Sequence, residues 1–404
     1  MKNMKKILVI AAFFACAQSG FCASFSGNAG LRGDFYSAAE SDYFDPLITL
    51  TGFFEGHFNI RKDLFLRTEM SIHTADIIET KMTEETDATF CVDELSLTYV
   101  KQFLGISQFF SIFKGDFESL GTNKFLAQQF GCGSITSFLT ESSARNTCAS
   151  PYSIYGLGVS YVARLNPSPV ALGAYIYKNN ENDADEKQIN IDFRLAAALK
   201  NVAFDFIAGI GAPVKNKNGD EDVILLIDEL YLHTGLDFLL GNKYSTSLFV
   251  QSGFNSFGLK KGDSNSSFST EDFYLLFEPR FCLANSQIHL SLFNFPEEQE
   301  AMLEFIEGNL GANLNIFTDQ LFIKNVDVTF GFNTSFSYAD RYLSDLKDIK
   351  DFYSSGYIVK VCPYLSVPVM SGNLKLMLQT KLSEVNEGGW QQNFKLNLGY
   401  KSTF

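Results

Sequence analysis

The side chains able to do chemistry in this sequence are charged far more often than they are nucleophilic. Four histidines are present, His57, His73, His233 and His289. None stands in an H-E-x-x-H pair or a Cys/His zinc spacing, and no G-x-S-x-G turn occurs, so neither a metal site nor a hydrolase signature forms. No D-x-D-x-D-G calcium loop, phosphate-cradling glycine loop or basic patch for nucleic acid is found either. The charges instead alternate with apolar residues. In "KQINIDFRLAAALK", Ile189, Ile191, Phe193 and Leu195 share one face, and Gln188, Asn190, Asp192 and Arg194 share the other. Such spacing suits electrostatics, a solvated charged wall that steers ions, more than bond-making.

Those charges need elements of period two to hold them, and period two runs through almost the whole chain. Eighteen candidate strands can be marked, among them 304–317, 321–338 and 390–404. Most run roughly ten to fifteen residues, whereas strands of soluble proteins cluster near five or six and a tilted transmembrane strand needs about 9–11. The connections alternate in length. Short ones such as "KD", "NPS", "KN", "GNK", "AN", "DQ" and "SG" follow long, mostly acidic ones at 37–45, 76–89, 118–151, 179–186, 214–226, 256–270, 296–303 and 339–355. Only "QFLGI" is ambiguous. This pattern predicts an all-β, closed antiparallel transmembrane β-barrel of 18 strands, or 16 if two short strands merge, with tight turns at one end and long loops at the other. Closure also follows from the bilayer, where no edge may keep unpaired N–H and C=O groups.

Residues 1–23 read as a secretory signal peptide, because Lys2, Lys5 and Lys6 precede the apolar run Ile7–Ala15 and a small-residue exit. The barrel then occupies 24–404. Loss of three lysines and no acid leaves 29 basic against 46 acidic side chains, so the net charge moves from −14 to −17. An acidic export product is a poor partner for nucleic acid. Its summed field favours a modest cation preference in conduction. Five cysteines remain, and only Cys132 and Cys148 share a loop, making them the one disulfide candidate; five unpaired thiols are the alternative.

With apolar parity facing lipid, the opposite parity lines the lumen. That set holds Arg32, Asp34, Glu55, His57, Arg67, Glu69, Glu94, Lys114, Asp116, Arg164, Asp192, Arg194, Asp205, Glu229, Glu278, Arg280, Lys324 near a turn, Asp327, Lys360, Lys375, Lys381 and Lys395. All four histidines fall on the lumen side, away from the lipid face where a barrel lipase would display its His and Ser. A solid apolar core could not hold so many charges, since each unpaired one would lose several kcal/mol of hydration. A water-filled bore could.

The closing residues Asn397-Leu398-Gly399-Tyr400-Lys401-Ser402-Thr403-Phe404 resemble the C-terminal signal read by the barrel-assembly machinery of bacterial outer membranes, with Asn397, Gly399 and Phe404 fitting it and Ser402 departing from it. With the leader and the hairpin rhythm, the chain is similar to outer-membrane porins over its mature length. General porins fold their third outer loop into the channel, and the third outer loop here, 118–151, is the longest. The resemblance implies a constriction in which Arg32, Arg67, Arg194 and Arg280 form a basic wall opposite Asp116, Glu118 and Glu141. It further implies passage of small hydrophilic solutes, outer-membrane lipid and the assembly machinery as partners, a homotrimer, and no cofactor or enzymatic activity. The alternative is a surface adhesin or receptor whose acidic loops bind a partner while the barrel anchors them.

Overall fold

In the computed structural model, the residues described are 24–37, 46–77, 88–132, 135–141, 149–179, 188–216, 223–225, 229–242, 245–260, 269–300, 302–318, 321–323, 326–347, 356–384 and 393–404. The leader and much of the acidic outer loops lie outside them.

Period two has become a ring of strands. They are β1 Ser24–Ser37, β2 Pro46–Arg61, β3 Leu64–Thr74, β4 Ala88–Phe103, β5 Ile106–Asp116, β6 Tyr155–Leu165, β7 Val170–Lys178, β8 Gln188–Ala198 and β9 Val202–Asn216. The second half comprises β10 Glu229–Leu240, β11 Ser247–Lys260, β12 Phe273–Leu283, β13 Ser286–Asn294, β14 Leu310–Thr318, β15 Thr329–Tyr338, β16 Tyr357–Val369, β17 Gly372–Lys381 and β18 Phe394–Thr403. Each pairs antiparallel with its sequence neighbour, and β18 returns to β1 with Asn28 opposite Thr403 and Tyr36 opposite Lys395. The barrel therefore has 18 strands and no free edge. A three-residue strand, Val223–Leu225, extends the outer end of β9.

The ambiguous "QFLGI" is a two-residue hairpin, Phe103 opposite Ile106, with Leu104 and Gly105 both at positive φ, as a tight antiparallel turn requires. Two sequence-predicted strands are shorter than expected. Residues 304–309 belong to a loop, so β14 starts at Leu310; the apolar residues Phe305 and Ile306 are buried without joining the ladder. Phe322–Ile323 pairs with Val326–Asp327 as a separate two-stranded unit, so β15 starts at Thr329 and Asp327 is exposed rather than on a lumen wall strand. Lys114 also departs from expectation. It stands opposite the exposed Leu95 and Leu157 and points outward.

Lys114 follows the regular alternation of β5, with Ser111 and Phe113 buried and Phe110 and Ile112 exposed, and that alternation ends just beyond it. The β3–β4 register slips between Glu69 and Met70, because Glu69 faces Glu94 while Met70 faces Val92, and Asp93 bulges. Gly115 of β5 lies against that bulge at φ 98, where a Cβ would sit 1.9 Å from the Asp93 carbonyl oxygen. Its register partner is Gly156 of β6, where a Cβ would sit 2.1 Å from the Lys178 carbonyl oxygen. At this glycine pair the wall loses its alternation, and the chain between β5 and β6 turns into the bore.

Candidate functional site: the bore and the loops folded into it

The described residues between Phe117 and Ile154 enter the barrel as a continuation of the β5–β6 ladder. The Phe117 N–H donates to Ile154 O (2.9 Å) and the Leu120 N–H to Tyr152 O (3.0 Å). Leu120 and Pro151 then lie on the wall at Gly235 and Gly253, register partners on β10 and β11, where a Cβ would meet Leu120 Cδ2 at 2.5 Å and Pro151 O at 2.9 Å. Beyond this contact lies one short helix, α1, Lys124–Phe130. Phe117, Leu120, Phe125, Leu126, Leu139 and Ile154 are buried with wall residues Phe113, Tyr175, Ile207 and Phe249, so the protein's main apolar cluster lies inside the barrel.

Charge pairing fixes the loop as firmly as packing does. Lys124 on α1 places its Nζ 2.6 Å from Glu69 and 3.5 Å from Glu94, carboxylates of β3 and β4 that are nearly inaccessible. Arg67 reaches Glu55 at 2.9 Å and Glu94 at 3.5 Å. Gln128, with its amide turned to satisfy both neighbours, bridges Arg67 and Glu118. Arg194 grips Asp205 with two hydrogen bonds of 2.7 and 2.5 Å, donates to Glu118 O at 2.7 Å, and covers the Phe125 ring at 3.9 Å from its centroid. The Tyr175 hydroxyl donates to Glu118 Oε2 at 3.1 Å. On the adjoining wall Asp192 gathers hydroxyls from Tyr152 (2.9 Å) and Tyr177 (3.0 Å) and contacts His233 Nε2 at 2.5 Å. An ion pair this deep holds only because both partners stay hydrogen-bonded, and the loop supplies many of those bonds.

The loop continues across the bore. Ser137 donates to Glu278 Oε2 of β12 at 2.5 Å, and Arg280 donates to Thr136 O at 3.0 Å while pairing with Glu278 at 2.7 Å. Phe138 stacks on Tyr364 of β16 with centroids 4.9 Å apart. The sequence-predicted residues are thus divided among several places. Arg67, Arg194, Glu118 and Asp116 surround α1, with Asp116 accepting from Ser119 Oγ. Arg280 holds the far limb of the loop, Glu141 lines a cavity beyond it, and Arg32 on β1 pairs with Asp34 and Glu304. Every one of the four arginines carries a carboxylate partner, so wall and loop carry interleaved rather than segregated charge. Cys132 makes no disulfide to any described residue, and Cys148 lies outside the described residues.

Burial on the wall is inverted relative to a soluble protein. Along β8, Asp192 and Arg194 are 0% and 2% exposed, while Phe193 between them is 64% exposed. Leu95, Leu97, Ile112, Val159, Leu292, Phe332 and Leu398 continue the outward apolar belt. No helix among the described residues is long and apolar enough to cross a membrane, but a closed ladder with hydrocarbon outside and charge inside crosses by its strands.

The chain is a closed transmembrane β-barrel of 18 strands.

No protein-family profile and no curated protein sequence matches it. Among solved structures it is similar to OmpT of Vibrio cholerae lacking loop L8, at 9% identity and a TM-score of 0.38 over 95% of this chain and 99% of that one. Salmonella typhi OmpF in complex with daunomycin gives 11% identity and a TM-score of 0.40 over 95% and 97%. Wzi of Escherichia coli, a carbohydrate-binding β-barrel involved in group 1 capsule assembly, gives 11% and 0.48 over 98% and 88%. Likenesses of this degree bear on neither solute nor mechanism.

The barrel contains a second inward segment, 295–309 between β13 and β14, that the sequence reading assigned partly to a solvated acidic loop and partly to a strand. Glu304 pairs with Arg32, and Glu307 pairs with Lys360 and, at 2.9 Å, with Lys381. Burial would raise the Glu307 carboxyl, but those two lysines outweigh it and hold the group below its usual range. Phe305 meets Phe138 edge-on, centroids 6.5 Å apart, so the two inward loops touch. No motif marks Glu304 or Glu307; the nearest signal is that "EFIEGN" keeps apolar residues in an otherwise acidic stretch.

Cavities remain on both sides of the loops. At the short-turn end, one of about 540 Å³ is lined by Phe138, Glu141, Tyr364, Lys375 and Lys401, and one of about 200 Å³ by His57, Arg67, Glu118 and Gln128. At the long-loop end, one of about 290 Å³ is lined by Glu271, Asp272, Glu297 and Glu298. The terminal residues close the seam. Asn397 is buried, donating to Asp34 Oδ1 at 2.5 Å and accepting from Gln379 at 2.9 Å, while Gly399 stands opposite Arg32. The Phe404 ring lies outside against Phe25 (5.2 Å) and Phe54 (5.9 Å).

Proposed function

We propose that this barrel is a porin-type channel for passive diffusion of small hydrophilic solutes, with residues 118–151 as its principal constriction and 295–309 as a second one. The observation that carries the reading is the inward course of the long loop, which leaves polar, charged space on both sides of a narrowed middle. Charges that face each other across such a section set which ions enter. Wall carboxylates and loop cations are neutralised pairwise here, so the groups bordering open cavities, Glu141 among them, govern selectivity.

Planar-bilayer recording of refolded, heat-modifiable protein tests this. Stepwise conductance is expected, and its absence from correctly folded protein would sink the channel. Glu141→Lys is expected to shift the reversal potential toward anions; an unchanged potential would remove residues 118–151 from the conducting path while leaving the barrel intact.

A further inference from the structure

Two lumen lysines behave unlike the rest. Lys124, Lys360, Lys381 and Lys395, and all four arginines named above, have a carboxylate within 4 Å. Lys375 and Lys401 have none among the described residues. Their ammonium groups lie over aromatic rings instead, Lys375 at 4.2 Å from the Phe138 centroid and 5.5 Å from Tyr364, and Lys401 at 5.4 Å from Phe53. A ring quadrupole holds a cation in place without cancelling its charge. Both lysines line the cavity of about 540 Å³, a volume in the range of small-molecule sites, in which Glu141 is the single lining carboxylate against two cations.

The same cavity carries groups that suit hydroxyls. Asn315 is 1% exposed, accepts from the Tyr364 hydroxyl at 3.1 Å, and leaves its Nδ2 donor without a partner. Asn373 and Ser366 also line the cavity, in hydrogen-bond contact with each other at 2.7–3.0 Å and each with capacity for a further bond. A buried amide with a spare donor is costly unless something accepts from it.

We infer that this cavity binds a small hydroxylated organic anion of the sugar-phosphate or sugar-acid class, its anionic group between Lys375 and Lys401 and its hydroxyls on Asn315, Asn373 and Ser366. This rests on the channel reading only for its physiological role, as the solute class that is held before passage; the binding itself needs no conduction. The acidic cavity at the opposite end, with four carboxylates, repels the same ligand, so occupancy comes from the short-turn side.

Isothermal titration of detergent-folded protein with glucose 6-phosphate, glucose and inorganic phosphate decides it. Glucose 6-phosphate is expected to bind at least tenfold more tightly than glucose, and the Lys375→Gln/Lys401→Gln double variant to lose that advantage. Lys375→Arg/Lys401→Arg, which keeps both charges, should retain it, and Lys101→Gln on the outer face should change nothing. Equal affinity for glucose and glucose 6-phosphate, or undiminished binding by the double glutamine variant, overturns the site. Inorganic phosphate binding as tightly as glucose 6-phosphate overturns the role given to the amides. Binding without conductance would refute the channel and leave this site standing; conductance without binding would do the reverse.

Discussion

Glu118 is an acid of the inward loop whose protonation is coupled to the docking of that loop. It is 5% exposed, and its neighbours are Arg194, Arg67, Tyr175, Glu94 and Gln128. Burial pushes its carboxyl from 4.5 up to about 7, against the pull of Arg194 and Arg67, with Glu94 adding to the rise. A docked loop therefore holds a proton that a released loop has already lost between those two values. The contribution of Glu118 is fully present below pH 4.5 and disappears as the pH rises through 7. The span corresponds to about 3 kcal/mol, or a few hundred-fold in the docking equilibrium. Hydrogen exchange of peptides from 117–130 and 149–154, corrected for intrinsic rates, reads this equilibrium. Wild-type protection should fall by about two orders of magnitude between pH 5 and pH 8. Glu118→Gln stays neutral throughout and should flatten the profile, leaving the variant loop better protected than wild type above pH 7. Asp116, Glu55, His57, Glu69, Glu94 and Asp237 also stand near the loop and are the same in both proteins, so the difference between profiles isolates Glu118. Parallel slopes in the two proteins would refute the reasoning.

Lys124→Met should destabilise the barrel by about 3–5 kcal/mol, because Glu69 and Glu94 would keep their burial and lose their cation. Urea-unfolding midpoints measure it, and adding Glu69→Gln should recover a large part; no recovery would remove charge as the cause. Gly115→Ala should lose about 1–3 kcal/mol through backbone strain and the collision with Asp93 O. Gly33→Ala serves as its reference, since a Cβ there meets only Leu50 at 3.5 Å and should change little. Phe404→Ala removes the ring that joins Phe25 and Phe54 across the seam, worth about 0.5–1.5 kcal/mol per aromatic contact, and should slow folding into lipid vesicles several-fold. An unchanged appearance rate of the heat-modifiable band would refute that role.

Most of the barrel was legible in the sequence because its signal is local. In a strand, neighbouring side chains point to opposite faces, so Asp192, Phe193 and Arg194 announce a two-faced wall without reference to any distant residue. Loop lengths are equally local, and the alternation of tight turns with long loops gave both the strand count and which end is which. Where the pattern misled, a partner remote in the chain had changed the outcome. Lys114 points outward and Asp116 inward because Gly115, seated against the Asp93 bulge of the neighbouring strand, breaks the alternation between them. Residues 304–309 alternate like a strand, yet Arg32, Lys360 and Lys381 draw Glu304 and Glu307 into the bore.

The site was legible only as a set of charges. Its members could be named from parity, but parity assigns a face and not a partner. Lys124 meets Glu69 across 55 residues of chain and Ser137 meets Glu278 across 141. Pairing of that kind follows from how the closed ring brings opposite walls within reach of one loop, and a charge's chemistry depends on whether a partner neutralises it. By itself the sequence determined a closed, two-faced barrel with one long third loop, since those properties depend on spacing along the chain. Only the tertiary structure decided which lumen charges are cancelled and that Lys375 and Lys401 are not, because that is settled by distances across the bore.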